Sequence, residues 1–237
     1  MFRFKEFTIE QDKVAMKIGT DAVLLGAWCA IQDTFDTILD VGSGTGVIAL
    51  MLAQRSFANT IDAVEKNDKA YEQTVENFEN SDWGDRLFCY HTDFQNFADE
   101  ISEEQETYDL IVSNPPFYTD DFETENLDRN EARFTTALSF NDLIEGVSKI
   151  LSEEGTFATI IPFKEKASFI ELAKSHQLHV SRICNVQGNP SSEIKRSLLE
   201  FTFKAQEVKK EHLIIEKERH QYTKAYVALT KDFYLKM

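Results

Sequence analysis

The sequence predicts an α/β domain in which helices cover both faces of a mostly parallel sheet. Three observations carry this expectation. From about residue 37, short apolar runs of strand length alternate with stretches of helical apolar spacing. Gly42 closes one such run, and Pro115 and Pro116 close off another. The last two strand-like runs lie close together with no helix between them, so they are expected to pair antiparallel.

Residues 1–36 read as an extended segment and a helix from Asp21 to Ile31, with no strand of the sheet. Thr37–Gly42 is a short buried strand and Val47–Arg55 a helix. Thr60–Glu65 is the second strand. Lys69–Asn80 is an amphipathic helix, apolar at Ala70, Tyr71, Val75 and Phe78. Arg86–His91 and Tyr108–Ser113 are the third and fourth strands. Residues 118–136 are polar, acidic and aperiodic, a loop longer than most and read as a functional lid.

Ser139–Ser152 is a helix with Ser139 or Asn141 as cap, ended by Gly155. Thr156–Pro162 is a fifth strand and Lys166–His176 a helix. Leu178–Val186 and Ser197–Phe203 are the two closing strands, joined by Gln187–Ser192. Leu213–Ile215 with Tyr222–Leu235 reads as a strand or hairpin packed on the body. With no repeat or composition break, residues 1–237 read as one domain: an extension over 1–36, a core over 37–203 and a second extension over 204–237.

No apolar run approaches the roughly 18 to 20 residues that span a bilayer, and Met1–Glu6 lacks the apolar stretch of a signal peptide. The chain is read as cytoplasmic, not membrane-bound, and monomeric, without an obligate protein partner. Cys29, Cys89 and Cys184 are far apart and odd in number, which fits buried reduced thiols. His176 and His179 straddle a helix–strand boundary, and no metal site is expected.

The formal charge of −16 is unevenly spread. Residues 1–30 are neutral, residues 31–160 carry −21 and residues 161–237 carry +5. A polyanion can meet the basic end while the acidic faces point away.

Two segments carry the chemistry. Asn114-Pro115-Pro116-Phe117 follows a buried strand. Proline donates no N–H and keeps the residue before it out of the helical region, so the corner is stiff and rich in acceptors. An aromatic ring stands just behind it. Such a corner suits chemistry on a planar exocyclic amine. The second segment is Asp40-Val41-Gly42-Ser43-Gly44-Thr45-Gly46. Its GxGxG spacing is neither the dinucleotide fingerprint nor a P-loop. Glu65 ends the next strand, nineteen positions beyond Gly46, where an acid can accept from a ribose diol. Asp93 follows the third strand and reads as an acceptor for an adenine amino group, or as a helix cap.

On these motifs the chain resembles the class I S-adenosylmethionine-dependent methyltransferases over roughly residues 10–203. Within them it is similar to the bacterial tRNA1(Val) adenine-N6 methyltransferases. That narrower likeness rests on Phe2–Phe7, Gln11–Asp21, Lys195–Phe201 and Thr230–Leu235. It implies a Rossmann-like fold of seven strands with the last antiparallel, S-adenosylmethionine as cofactor and tRNA as substrate. It also implies roles. Gly42, Gly44, Gly46 and Asp40 lie against the methionine part of the cofactor, with Gly19, Thr20 and Asp21 closing over that end. Glu65 holds the ribose, and Asp93 with Phe94 faces the adenine. Asn114, with Pro115 and Pro116, takes the catalytic position, and Phe117 stacks on the flipped base. Lys195 and Arg196, then Arg3, Lys5, Lys13 and Lys17, are the expected phosphate contacts. The same corner also serves guanine-N2 methylation of ribosomal RNA or methylation of a protein glutamine amide. A non-catalytic RNA-binding module of the same fold has no need for the glycine loop, Glu65 and Asn114 together.

Overall fold

The computed structural model describes residues 1–14, 16–116 and 138–237. β1 (Phe2–Arg3) and β2 (Thr8–Ile9) form a small hairpin, followed by α1 (Thr20–Trp28). The alternating part runs β3 (Thr37–Val41), α2 (Val47–Arg55), β4 (Thr60–Glu65), α3 (Asp68–Glu79), β5 (Leu87–His91), α4 (Phe94–Glu103) and β6 (Tyr108–Ser113). Beyond it come α5 (Phe140–Ile150), β7 (Leu151–Pro162), α6 (Lys166–Ser175), β8 (His179–Gln187), β9 (Ile194–Thr202) and β10 (Lys209–Ile214). A hairpin of β11 (Glu216–Glu218) and β12 (Gln221–Tyr222) leads into α7 (Lys224–Thr230).

The main sheet has the order β10-β8-β9-β7-β6-β3-β4-β5. β9 runs antiparallel to both β7 and β8, as expected of the closing pair. The sheet has eight strands rather than seven, because β10 adds parallel to β8 at the edge. Among the residues of β10, Leu213 alone is fully buried, so the strand has no periodic apolar signal.

Central strands are buried on both faces, which is why they read as continuous apolar runs. Side chains alternate between two cores. Ile38, Leu110 and Val112 pack with α1 and α2, whereas Leu39, Val41 and Ile111 pack with α4 and α5.

Three further elements differ from expectation. α5 ends at Ile150 and the chain passes directly into β7, so Gly155 lies inside a strand. The extra residues appear as a register shift between Tyr108 and Leu110 on the neighbouring strand. Tyr222–Leu235 contains α7, capped by Thr223, whose Oγ1 accepts from Tyr226 N at 3.1 Å. The aromatic and β-branched residues there resemble a strand until that cap is counted. α4 was not anticipated, although Phe94, Phe97 and Ala98 form its buried stripe. Among the described residues no helix is long and apolar enough to cross a membrane.

Arg182 of β8 ties the outer strands to the C-terminal end of α1. The Arg182 guanidinium lies 4.1 Å from the Trp28 ring centroid. Its Nε and Nη2 donate to the two Glu211 oxygens at 3.2 and 3.0 Å. Its Nη1 donates to Trp28 O at 3.2 Å and to Glu200 Oε1 at 3.4 Å. Trp28 Nε1 donates to Glu211 Oε2 at 2.9 Å. Burial pushes the Glu211 carboxyl up, but hydrogen bonds from Arg182, Trp28 and Lys209 outweigh it and hold the group at about 2. Glu200 is more deeply buried and receives the longer contact, and burial raises its carboxyl instead.

Arg182→Met removes the cation that both carboxylates share, leaving Glu211 to Trp28 and Lys209 and Glu200 to the Ala30 N–H, and is expected to cost about 3 kcal/mol, read as a lower urea midpoint at unchanged slope. A folded value below the ordinary 4.5 stabilises the protein above that pH. The Glu211 contribution is therefore lost as pH falls from 4.5 toward about 2, and the gap between wild type and variant narrows over that window.

Candidate active site

The switch in strand order falls between β3 and β6, and open α/β sheets take their ligands beyond the carboxyl ends of the strands at such a switch. The register pairs Val41 with Ser113, so the glycine loop and the Asn114 corner leave the sheet side by side. Ser113 Oγ donates to Val41 O at 3.0 Å and clamps the two exits together.

The loop is held in a conformation that glycine favours. Gly42, Gly44 and Gly46 have φ of 75°, 60° and 75°. Among the described residues, a Cβ at Gly42 or Gly44 would meet nothing within 4 Å. Gly46 differs: a Cβ there would lie 2.6 Å from the Phe78 ring, and its smallness serves packing on α3.

Glu65 braces this loop from β4. Its Oε2 accepts from Gly44 N at 2.9 Å and its Oε1 from Asn67 N at 2.8 Å. Gly42 N and Ser43 N both donate to Val64 O. α3 adds polar braces that sequence reading missed. Thr74 Oγ1 donates to Gly44 O at 3.1 Å, and Asn77 Nδ2 donates to Thr45 O at 2.9 Å. Asn77 also exchanges hydrogen bonds with the backbone of Glu10. Gln73 Oε1 accepts from Lys13 N at 3.1 Å. Gln73, Thr74 and Asn77 are buried at helical spacing beside Ala70 and Phe78, and that pattern was their available signal.

Asp40 is fully buried at the end of β3, with Oδ2 accepting from Ala49 N at 3.2 Å. Its Oδ1 has no partner among the described residues. Burial pushes the carboxyl up to about 7, against the pull of the Ala49 N–H, and the nearby Glu65 adds to the rise. At the other exit, Asn114 Oδ1 is buried and likewise without a partner among the described residues. Pro115 is buried and Pro116 exposed. Phe117 and the expected lid lie outside the described residues.

The remaining expected residues divide. Gly19 precedes α1 as an exposed cap residue, with Thr20 and Asp21 in the first turn. Asp21 is bound to Arg196, whose Nε donates to Oδ2 at 2.7 Å. Asp93 caps α4, with its two oxygens accepting from Asn96 N and Asn96 Nδ2. Phe94 is buried, its ring against Gly146 of α5. Lys13 pairs with Glu76 and Glu72, and Lys5 Nζ donates to Lys231 O. Arg3, Lys17 and Lys195 are exposed.

A family profile described as "Methyltransferase small domain" matches residues 18–168. A protein of Christiangramia forsetii named tRNA1(Val) (adenine(37)-N6)-methyltransferase is 53% identical over 236 residues, which is 100% of this chain and 98% of that one. The chain belongs to the tRNA1(Val) (adenine(37)-N6)-methyltransferase family. A relative of the same name in Flavobacterium johnsoniae is 53% identical over 238 residues, 100% of each chain. Among solved structures, a predicted O-methyltransferase of Agrobacterium tumefaciens superposes with a TM-score of 0.67 over 90% of this chain and 96% of that one. At 20% identity that likeness shows the fold alone.

Three outcomes follow for stability. Gly44→Ala is expected to cost about 1–2 kcal/mol, from backbone strain in open space. Gly46→Ala carries the same strain plus the Phe78 contact and costs about 3 kcal/mol or more, as urea midpoints will show. The Asp40 carboxyl is raised on folding, so its share of stability is intact below 3.8 and lost as pH rises to about 7. Asp40→Asn escapes that loss. Its thermal midpoint should exceed wild type by an amount that grows from pH 4 to 7 and then levels, on the order of 2–4 kcal/mol in free energy.

Proposed function

We propose that this chain methylates the N6 amine of an adenine in tRNA, the adenine 3′ of the anticodon of tRNA1(Val), using S-adenosylmethionine. The observation that carries this reading is the Val41–Ser113 register, which sets the amine-gripping corner beside the glycine loop. The names of relatives at 53% identity over full length support the substrate. The methyltransferase profile supports the chemistry.

The residues present fit the cofactor. Among the described residues nothing lies within 4 Å of a Cβ built at Gly42 or Gly44, and Asp40 of the same strand–loop exit carries a buried oxygen without a donor, a combination that suits a ligand carrying an ammonium group. Glu65 would hold the ribose diol with the lone pairs that its two backbone bonds leave. Asp93 is the weaker assignment, because its carboxylate already caps α4. When bound, S-adenosylmethionine supplies a methyl carbon on a sulfonium leaving group.

The adenine amine is a poor nucleophile because its lone pair is delocalised into the ring. Asn114 Oδ1 and the Pro115 carbonyl would accept from its two N–H groups. That draws the lone pair onto nitrogen and aims it. The two prolines hold those acceptors still, so little reorganisation remains at reaction. The same dipoles stabilise the positive charge that develops on nitrogen. The methylated nitrogen is acidic and releases its proton to water, so no Asp or His is assigned as base. Extruding the adenine costs a few kcal/mol, and stacking on Phe117 offsets part of it. A tRNA substrate places the reaction in the cytoplasm.

Asn114→Ala is expected to lower kcat by about 10³-fold while calorimetry shows S-adenosylmethionine binding unchanged. In cells lacking the gene, mass spectrometry of tRNA1(Val) nucleosides should show loss of N6-methyladenosine. An unchanged nucleoside profile would remove this substrate from consideration.

A further inference from the structure

We propose that Lys166, Lys210 and His212, with Lys195, form an anion track along the outer part of the sheet that holds phosphates of the RNA substrate. This deepens the tRNA reading and rests on it. Of these residues, sequence reading had singled out only Lys195.

The track lies at the working edge of the molecule. β7, β8 and β10 run parallel to β6, so all of their carboxyl ends emerge on the side of the Asn114 corner. Lys166 opens α6, four residues beyond the end of β7. Lys195 lies at the start of β9, on the same edge. Four strand spacings separate β6 from β10, about 19 Å.

Charges on β10 are sorted by face. Lys209 and Glu211 share one face, where Lys209 pairs with Glu211 at 3.0 Å and Arg182 binds the same acid. Lys210 and His212 alternate to the opposite face, toward α6. There Lys166 Nζ donates to Asn185 Oδ1 at 3.1 Å and sits 4.2 Å from the Phe163 ring centroid. Asn185 is opposite His212 in the β8–β10 register, and its Oδ1 also accepts from Ser197 Oγ at 3.0 Å. Among the described residues no carboxylate lies within ion-pair distance of Lys166, Lys195 or Lys210, although Glu165 and Glu193 are close in sequence.

Burial, and then repulsion from Lys210, lower the pKa of Lys166. Lys166 is thus held by neutral groups near a second cation, in a chain that carries 41 acidic side chains against 25 basic ones. Elsewhere the same surplus of acid finds the lysines: Lys13, Lys149 and Lys204 each meet a carboxylate. An external polyanion is the partner that would relieve the repulsion. RNA phosphate fits because the track lies on the same edge of the sheet as the corner that takes the base, within about 19 Å of it.

The test measures tRNA binding and turnover for Lys210→Gln and for Lys166→Gln/Lys210→Gln. Circular dichroism and S-adenosylmethionine calorimetry serve as checks on folding. The double variant should raise the KM for tRNA about tenfold with kcat within twofold of wild type. Its plot of log affinity against log salt should lose a slope of about 1.4–1.8, the loss expected for two phosphate contacts. Lys210→Arg should restore the wild-type slope. If wild type methylates tRNA while both variants keep its KM and salt slope, the track is wrong and the assigned function stands. A fall in kcat at unchanged KM would also overturn it. If wild type neither binds nor methylates tRNA, the assigned function fails first.

Discussion

The pairing of β3 with β6 is the constraint on which the rest depends. It is parallel, central and clamped where it ends by a serine hydroxyl bonded across the strands. A one-residue slip would turn Asp40 from its place beneath α2 to the opposite face and displace Asn114 from the glycine loop. The two cores oppose such a slip, because Ile38 and Leu39 are each fully buried on opposite sides. Hydrophobic packing far from the chemistry thereby sets the separation of the two reacting partners.

Around that seam the loop conformation is held by groups that do no chemistry. Glu65, Thr74 and Asn77 bond to backbone atoms of residues 44 and 45 from two different elements. Asn77 also grips the N-terminal segment at Glu10. The glycine turn is therefore rigid before any ligand arrives, and this reduces the ordering cost of binding. The charge asymmetry of the sequence becomes a spatial one. The acidic stretch supplies β4, β5 and the helices beside them, while the basic stretch supplies β8 and β10 at the other edge. Such a field orients a polyanion before contact.

The fold and the core of the site were legible because their signals are local. Asn114-Pro115-Pro116 and the glycine loop each need special residue types in one contiguous run. What escaped was not local. The α3 braces are polar residues at core positions, and polarity in a helix is easily taken for a solvent face. β10 has one fully buried side chain and owes its place to backbone pairing with β8. Arg196 and Asp21 are 175 residues apart, and no spacing rule joins a residue expected at RNA to one expected at the cofactor. Asp93, read as an adenine acceptor or as a helix cap, caps α4, and Phe94 fills the α4–α5 core.

α1 is pinned at both ends by arginines of neighbouring strands, Asp21 by Arg196 and Trp28 by Arg182. Seven residues separate the two attachments, almost two turns, so both fall on one helix face. Adding or removing a single residue between them would rotate one attachment by about 100° relative to the other. Gly19 and Thr20 would swing with it. The spacing of seven residues between the two attachments is thus fixed by the arginines that hold them.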